Sequence, residues 1–93
     1  MYVGTLECRC RVIGSKSLKD KRRVIKSGLS RIQSRLNLSV AEVGYQDDRQ
    51  LTNLAFVGVS SGKHVIEQEL QQALRLLEQT NGLEMLDSEI TFK

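Results

Sequence analysis

The spacing of apolar residues most constrains the fold of this chain. Four segments either alternate between apolar and polar residues or are apolar on both faces. Two further segments repeat apolar residues at helical spacing. Alternation predicts half-buried strands, and the 3.6-residue repeat predicts amphipathic helices. The segments, in chain order, cover residues 2–13 (strand), 18–36 (helix), 39–46 (strand), 51–60 (strand), 63–79 (helix) and 82–93 (strand).

This βαββαβ order predicts an α+β fold in a single domain over residues 1–93. A polar connection at residues 46–50 indicates a hairpin between the second and third strands. Two right-handed crossovers around a hairpin give a ferredoxin-like sandwich, which has a four-stranded antiparallel sheet with both helices on one face. The opposite sheet face is then open to a partner or a second copy.

Side-chain faces follow from the alternation. The first strand places Leu6, Cys8, Cys10 and Val12 on one face. The second strand groups Ala41, Val43 and Tyr45, and the last strand groups Leu86, Ser88, Ile90 and Phe92.

Cys8 and Cys10 are expected to be reduced core residues. Two thiols at i and i+2 close no useful loop as a disulfide, and two cysteines cannot complete a four-ligand zinc site. We therefore expect no metal and no cofactor. The chain also has no apolar run of about 18 residues and does not begin with a secretory signal pattern, which predicts a cytoplasmic protein without membrane contact.

Positive charge is concentrated in the first part of the chain. Residues 1–35 contain ten Lys or Arg against two acidic residues, a balance of +8. Residues 36–93 contain four against nine, a balance of −5. Such a split indicates an anionic partner.

Four cations of the first helix form one longitudinal stripe at i, i+3, i+4 and i+7. Cations in a first turn oppose the helix dipole by about 0.3–1 kcal/mol each, and no acidic residue follows Asp20 in this helix. Stability alone does not favour this pattern, although a solvated face that serves solubility is the alternative interpretation. The stripe consists of Lys19, Arg22, Arg23 and Lys26.

A linear array of cations suits the phosphates of structured RNA. Ser17 is also predicted to cap the first helix, and the hydroxyls of the preceding turn are candidates to bind an anion at the helix N-terminus. The predicted nucleic-acid contacts are Lys16, Lys19, Lys21, Arg22, Arg23 and Lys26. The predicted anion-binding turn contains Ser15 and Ser17.

The segments SKSLKDKRRVIKS and SRLNLSVAEVGYQD resemble the YlxP-like family of small bacterial proteins of unknown function. The resemblance implies a ferredoxin-like fold. It also implies gene neighbourhoods rich in transcription, translation initiation and ribosome-maturation factors, and therefore motivates a hypothesis of binding to ribosomal RNA or the 30S subunit. The family motif falls on Ser17, Leu18, Lys19, Asp20, Lys21 and Arg22, and on Ala41, Glu42 and Val43.

Other functions of the same topology fit the residues less well. RNA-recognition motifs stack bases on sheet aromatics, but the first and third strands contain only Tyr2 and Phe56, and Phe56 is expected in the core. An acylphosphatase-like phosphate cradle is not recognisable. The lone His64 is expected to serve a surface or capping role, so we predict no catalytic residues and no enzyme activity.

The main alternative is a dimeric regulatory or interaction module. It would form a homodimer through the open sheet face and bind a small anionic ligand or a protein partner. Salt dependence distinguishes the two hypotheses, because RNA binding through several phosphates weakens steeply with salt whereas binding in a small pocket responds little.

Overall fold

The computed structural model describes residues 1–93 and confirms the predicted order of elements. Neither helix is long and apolar enough to cross a membrane. The strands are β1 (Tyr2–Val12), β2 (Ser39–Gly44), β3 (Leu51–Ser60) and β4 (Leu83–Phe92), and the helices are α1 (Leu18–Arg35) and α2 (Lys63–Glu78).

The four strands form one antiparallel sheet in the order β2-β3-β1-β4. Strands β2 and β4 are therefore the two edges. Helix α2 contacts β1, β3 and β4, whereas α1 contacts β2 and α2. Apolar residues of both helices join one face of the strands in a single core cluster. This is the predicted ferredoxin-like sandwich, with the second sheet face open.

The core has the composition that the alternation predicted. Burial of Leu6, Cys8, Cys10 and Val12 on β1 is confirmed, as is that of Phe56 on β3. Each large aliphatic or aromatic side chain buried in this way contributes about 1.5–3 kcal/mol. Both cysteines are free thiols, and Cys10 Sγ lies 3.9 Å from Met85 Sδ.

A β-bulge in β4 changes which of its residues face the helices. In β4 the register shifts opposite Arg9 and Cys10, so Leu86 becomes an extra residue and is 40% exposed. Its predicted place on the face of Ser88 and Ile90 is therefore wrong. A bulge reverses side-chain alternation locally and depends on the partner strand, which the alternation of one segment does not report.

Strand β2 turns Ala41 and Val43, two of the residues grouped by the sequence pattern, towards the open sheet face, where Val43 is 54% exposed. Tyr45 lies beyond the end of the strand and is 43% exposed. The side chains of Val40 and Glu42 point towards the helices instead, with Val40 packed against the core. The strand thus presents a carboxylate to α1.

Helix α2 approaches the sheet where two glycines pair across neighbouring strands. Gly4 of β1 is the register partner of Gly58 of β3. A methyl group on Gly4 would lie 2.2 Å from Ile66 Cγ2 of α2, and one on Gly58 would lie 3.0 Å from Ile66 Cδ1 and 2.6 Å from Leu38 Cδ2 before β2. These contacts are too short, so the missing side chains set the distance between α2 and the sheet.

We expect Gly4→Ala to lower the free energy of unfolding by about 1–3 kcal/mol, because the added methyl group overpacks this contact. Gly28→Ala is the matched control in the middle of α1, since its new methyl group would meet Thr80 and Leu83 at 3.5–3.7 Å. That substitution should raise the free energy of unfolding by up to about 1 kcal/mol through helix propensity. Urea denaturation measures both; equal losses in the two variants would contradict the close approach at Gly4.

The two core thiols predict a loss of stability at alkaline pH. Burial is the largest cause that raises the pKa of Cys8 from 9.0 to about 12, and burial raises that of Cys10 from 9.0 to about 11. Between these values the unfolded chain has lost protons that the folded chain keeps, so rising pH favours unfolding. The free energy of unfolding should therefore fall from about pH 9 upwards, measured by urea denaturation under reducing conditions.

The control for this effect is the double variant Cys8→Ala and Cys10→Ala. It removes both thiols and should show a smaller decrease between about pH 8 and about pH 10. The same decrease in both proteins would mean that other groups cause the pH dependence.

Candidate nucleic-acid interface

Five of the six predicted nucleic-acid contacts are exposed on or just before α1. None of them lies within ion-pair distance of an acidic group, because the three ion pairs of the chain involve other cations. Their ammonium and guanidinium groups are therefore available to an external anion. These exposed residues, called the α1 cations below, are Lys16, Lys19, Arg22, Arg23 and Lys26.

Lys21 does not belong to this surface. Its side chain is 0% exposed, and its Nζ lies 3.2 Å from Glu42 Oε2 of β2. The ammonium also donates to the backbone carbonyl of Tyr45. The prediction that Lys21 contacts RNA is wrong, because this cation is buried against the sheet and already has an acidic partner.

The buried pair is part of a small polar cluster between α1 and the sheet. Thr52 of β3 is fully buried and donates its hydroxyl to Glu42 Oε2 at 2.7 Å. Glu42 is therefore ion-paired with Lys21 and accepts from Thr52, and no buried side-chain nitrogen or oxygen of the chain lacks a partner. Satisfied in this way, a buried ion pair is tolerated between apolar layers.

Lys21 also fixes the beginning of the loop between β2 and β3. Tyr45 adopts the left-handed conformation with φ 57°, and its carbonyl accepts from both Lys21 Nζ and the backbone N–H of Asp48. Asp48 Oδ1 accepts from the backbone N–H groups of Leu51 and Gln50, which hold its pKa below the ordinary value. Asp48 therefore stabilises the turn between β2 and β3.

The turn before α1 uses its hydroxyls internally. Ser17 caps the helix as predicted, since its Oγ accepts from the backbone N–H of Asp20 at 3.1 Å. Ser15 is buried and donates its hydroxyl to the carbonyl of Ser17 at 3.0 Å. The prediction of Ser15 as an anion contact is therefore wrong, and Ser17 Oγ occupies a position at the helix terminus that an anion would take.

A second group of cations lies on the side of α1 that faces the end of α2. A cleft of about 330 Å³ runs there between Arg23 and Arg31 of α1 and Asn81 after α2. Arg31 Nη2 donates to Thr80 Oγ1 at 3.3 Å, which orients its guanidinium group. No acidic residue lines this cleft. It extends the exposed cationic surface beyond the predicted stripe.

The open sheet face is electrostatically different. Arg11 Nη1 lies 3.2 Å from Glu84 Oε1, and Arg9 lies 4.0 Å from Asp87. Glu7 and Glu89 are direct cross-strand partners without a cation. A shallow depression of about 230 Å³ on this face is lined by three carboxylates against the single cation Arg9, so the face offers little to a phosphate.

Base stacking also lacks a platform on the open sheet face. The inward-facing Phe56 is fully buried. Phe92 is packed against the core and lies 4.9 Å from the ammonium of Lys63. Tyr2 begins β1 on the helix side of the sheet, in line with Gly4 and Leu6. Nucleic acid would therefore meet charge on α1 rather than aromatic rings on the strands.

The sequence carried two signals for the buried pair that residue type obscured. Lys21 lies four residues before Ile25, in the buried line that continues through Gly28 and Ile32. Glu42 alternates in step with Val40, which packs on the core. Position in the helical repeat thus favoured an inward side chain for Lys21, whereas the signal for Glu42 was weaker because Ala41 and Val43 are also apolar.

His64 is exposed near the beginning of α2. The N-cap of that helix is Gly62, which provides no side-chain hydrogen bond. Of the two roles expected for His64, the structure therefore supports the surface role.

Comparison with known proteins identifies relatives without an assigned function. The family described as "Protein of unknown function (DUF503)" matches residues 3–90. The "Uncharacterized protein YlxP" of Bacillus subtilis (strain 168) is 41% identical over 76 residues, which cover 82% of this chain and 83% of that protein.

A solved structure supports the fold alone. The "De novo designed protein Foldit4" superposes with a TM-score of 0.56 at 18% identity, covering 98% of this chain and 96% of that chain.

The buried pair predicts strong coupling between Lys21 and Glu42. Lys21→Met leaves a carboxylate between α1 and β2 without its cation, and we expect a loss of about 3–5 kcal/mol in the free energy of unfolding. The double variant Lys21→Met and Glu42→Leu should lose clearly less than Lys21→Met alone, because no unpaired charge remains. Urea denaturation of both singles and the double gives the coupling energy. Additive losses would show that the two groups do not interact.

Proposed function

Since this chain belongs to the DUF503 family of proteins of unknown function, its function has to be inferred from its own surface, and we infer that it is a non-enzymatic RNA-associated protein. It binds ribosomal RNA or the 30S subunit through α1. In this role it serves as an accessory factor of ribosome maturation or translation in the cytoplasm.

The observation that carries this proposal is the contrast between paired and unpaired cations. Arg9, Arg11 and Lys21 each have an acidic partner within 4.0 Å, whereas none of the α1 cations does. The helix from Lys19 to Lys26 covers about 10 Å, a length over which a nucleic-acid backbone presents more than one phosphate. Phosphate oxygens would supply the missing counter-charge.

The same surface favours structured RNA over an unpaired strand. Single-stranded RNA is bound largely by stacking bases on exposed aromatic rings. This chain buries or covers its two phenylalanines and exposes only Tyr2, at the beginning of β1, and Tyr45, just beyond the end of β2. Double-stranded and folded RNA is recognised mainly through its backbone and shape. A row of flexible lysine and arginine side chains on a rigid helix suits that mode.

The choice of the 30S subunit rests on the resemblance to the YlxP-like family. The gene neighbourhoods that it implies are rich in translation initiation and ribosome-maturation factors. Ribosomal RNA is the most abundant folded RNA of that setting, so it is the first ligand to test.

Exposed valines on the open sheet face favour a second candidate, a dimeric interaction module. Val43, Val57 and Val59 of β2 and β3 are 54%, 38% and 57% exposed. Pairing of two such faces would bury apolar surface without covering α1. Sedimentation equilibrium tests it: a dimer that Val57→Lys and Val59→Lys dissociate supports it, and a monomer at all concentrations contradicts it.

We expect charge reversal of Arg22, Arg23 and Lys26 to glutamate to weaken co-sedimentation with 30S subunits strongly at low salt. The matched control reverses Arg49, Arg75 and Lys93, which are exposed cations outside α1. Its net charge is the same, so any general electrostatic effect is equal in the two variants. Circular dichroism verifies that both variants fold.

A salt series makes this test quantitative. The slope of log affinity against log salt should be shallower by about 3 in the α1 variant, because three phosphate contacts are lost. The control should retain the slope of the natural protein. Equal weakening by both variants, or no binding of the natural protein to 30S subunits or 16S RNA, would contradict the proposal.

A further inference from the structure

Strand β2 is an edge of the sheet whose outer side has no neighbouring strand. The register with β3 is regular from Ser39 to Glu42, before the bulge at Val43. Unpaired backbone N–H and C=O groups of such an edge are a template for an added strand. The other edge, β4, carries its own bulge at Leu86.

A groove of about 370 Å³ follows the β2 edge between this strand and α1. Apolar side chains of Ile25, Leu29 and Val40 line it. Arg22 and Lys26 also line it, and neither has an acidic partner.

Glu42 is the one acidic residue of the groove. Its carboxylate is already engaged by Lys21 at 3.2 Å and Thr52 at 2.7 Å. The groove is therefore lined by apolar side chains and by two cations without an acidic partner.

We propose that the β2 edge and this groove bind an extended acidic segment of a protein partner by strand addition. The backbone of the segment pairs with β2. Its alternate side chains point to the helix side, where carboxylates meet Arg22 and Lys26 and apolar groups pack on Leu29.

A second copy of this chain does not fit the groove. Antiparallel pairing of two β2 edges about a two-fold axis would bring the two α1 helices together, with Arg22 and Lys26 of each facing the other. Pairing of β2 with β4 of another copy would not place carboxylates against Arg22 and Lys26 either. The acidic residues of β4 project from the open face, and its helix side presents Leu83, Met85, Ser88, Ile90 and Phe92.

The inference does not depend on RNA binding, although both use Arg22 and Lys26. Strand addition requires a backbone that can donate and accept hydrogen bonds, which a phosphate array does not have. A peptide that binds to Arg22 and Lys26 through charge alone can therefore be distinguished from one that adds a strand to β2.

The test uses the synthetic peptide Thr-Glu-Thr-Glu-Thr-Glu-Thr with blocked ends, titrated into the isotope-labelled protein by NMR. We expect the largest amide shifts on Ser39 to Glu42, and slower hydrogen exchange of the β2 amides that do not bond to β3. The same peptide with lysine for glutamate should not bind. A version with proline in place of the threonine at its third position should bind much more weakly, because proline has no N–H to donate.

Protein variants complete the test. Arg22→Glu with Lys26→Glu should weaken peptide binding about tenfold or more. Arg31→Glu with Arg35→Glu makes the same charge change on the opposite flank of α1 and should leave it unchanged.

Three results would overturn the proposal. The first is the absence of β2 shifts up to about 1 mM peptide. The second is equal binding of the proline peptide, which would show a purely electrostatic contact. The third is β2 shifts that depend on protein concentration without peptide, which would assign the edge to a second copy.

Discussion

The ion pair between Lys21 and Glu42 determines how the rest of this structure presents its charge. Successive residues of an α-helix are about 100° apart, so burying Lys21 fixes the rotation of α1 about its axis. Arg22 is then directed towards the β2 edge and Arg23 towards the cleft beside α2. The same lysine binds the carbonyl of Tyr45 and so connects α1 to the loop after β2. The functional surfaces proposed for α1 thus depend on one buried contact.

The contact between Lys21 and Glu42 also gives the residues of the family motif a structural role. Ser17 caps α1, Lys21 is buried, and Glu42 is its partner. Only Lys19 and Arg22 of the first motif are exposed cations. The two motif segments, separated by most of a helix, therefore meet in space to hold α1 on β2. In this chain these residues account for the packing of α1 on β2 more directly than for RNA binding.

The predictable part of the structure was the part that local periodicity determines. The order of elements and their bounds follow from apolar spacing, because burial of one face imposes that spacing on helices and strands alike. Leu86 was assigned wrongly because a bulge depends on the neighbouring strand. Lys21 and Ser15 were assigned wrongly because their chemical type suggested solvent, while their partners are distant in sequence or lie in backbone groups that a sequence does not display.

The two proposals are coupled through the residues that they share. A segment added to β2 would neutralise Arg22 and Lys26, while Lys19 stays exposed and Arg23 and the oriented Arg31 stay free for RNA on the flank beside α2. The RNA complex would then lose about two phosphate contacts, and its affinity would depend less steeply on salt. Because coupling between two binding sites is reciprocal, RNA would weaken the binding of the acidic segment by the same factor. One helix with two differently placed cationic flanks would therefore make RNA and protein partners antagonistic without any change of fold.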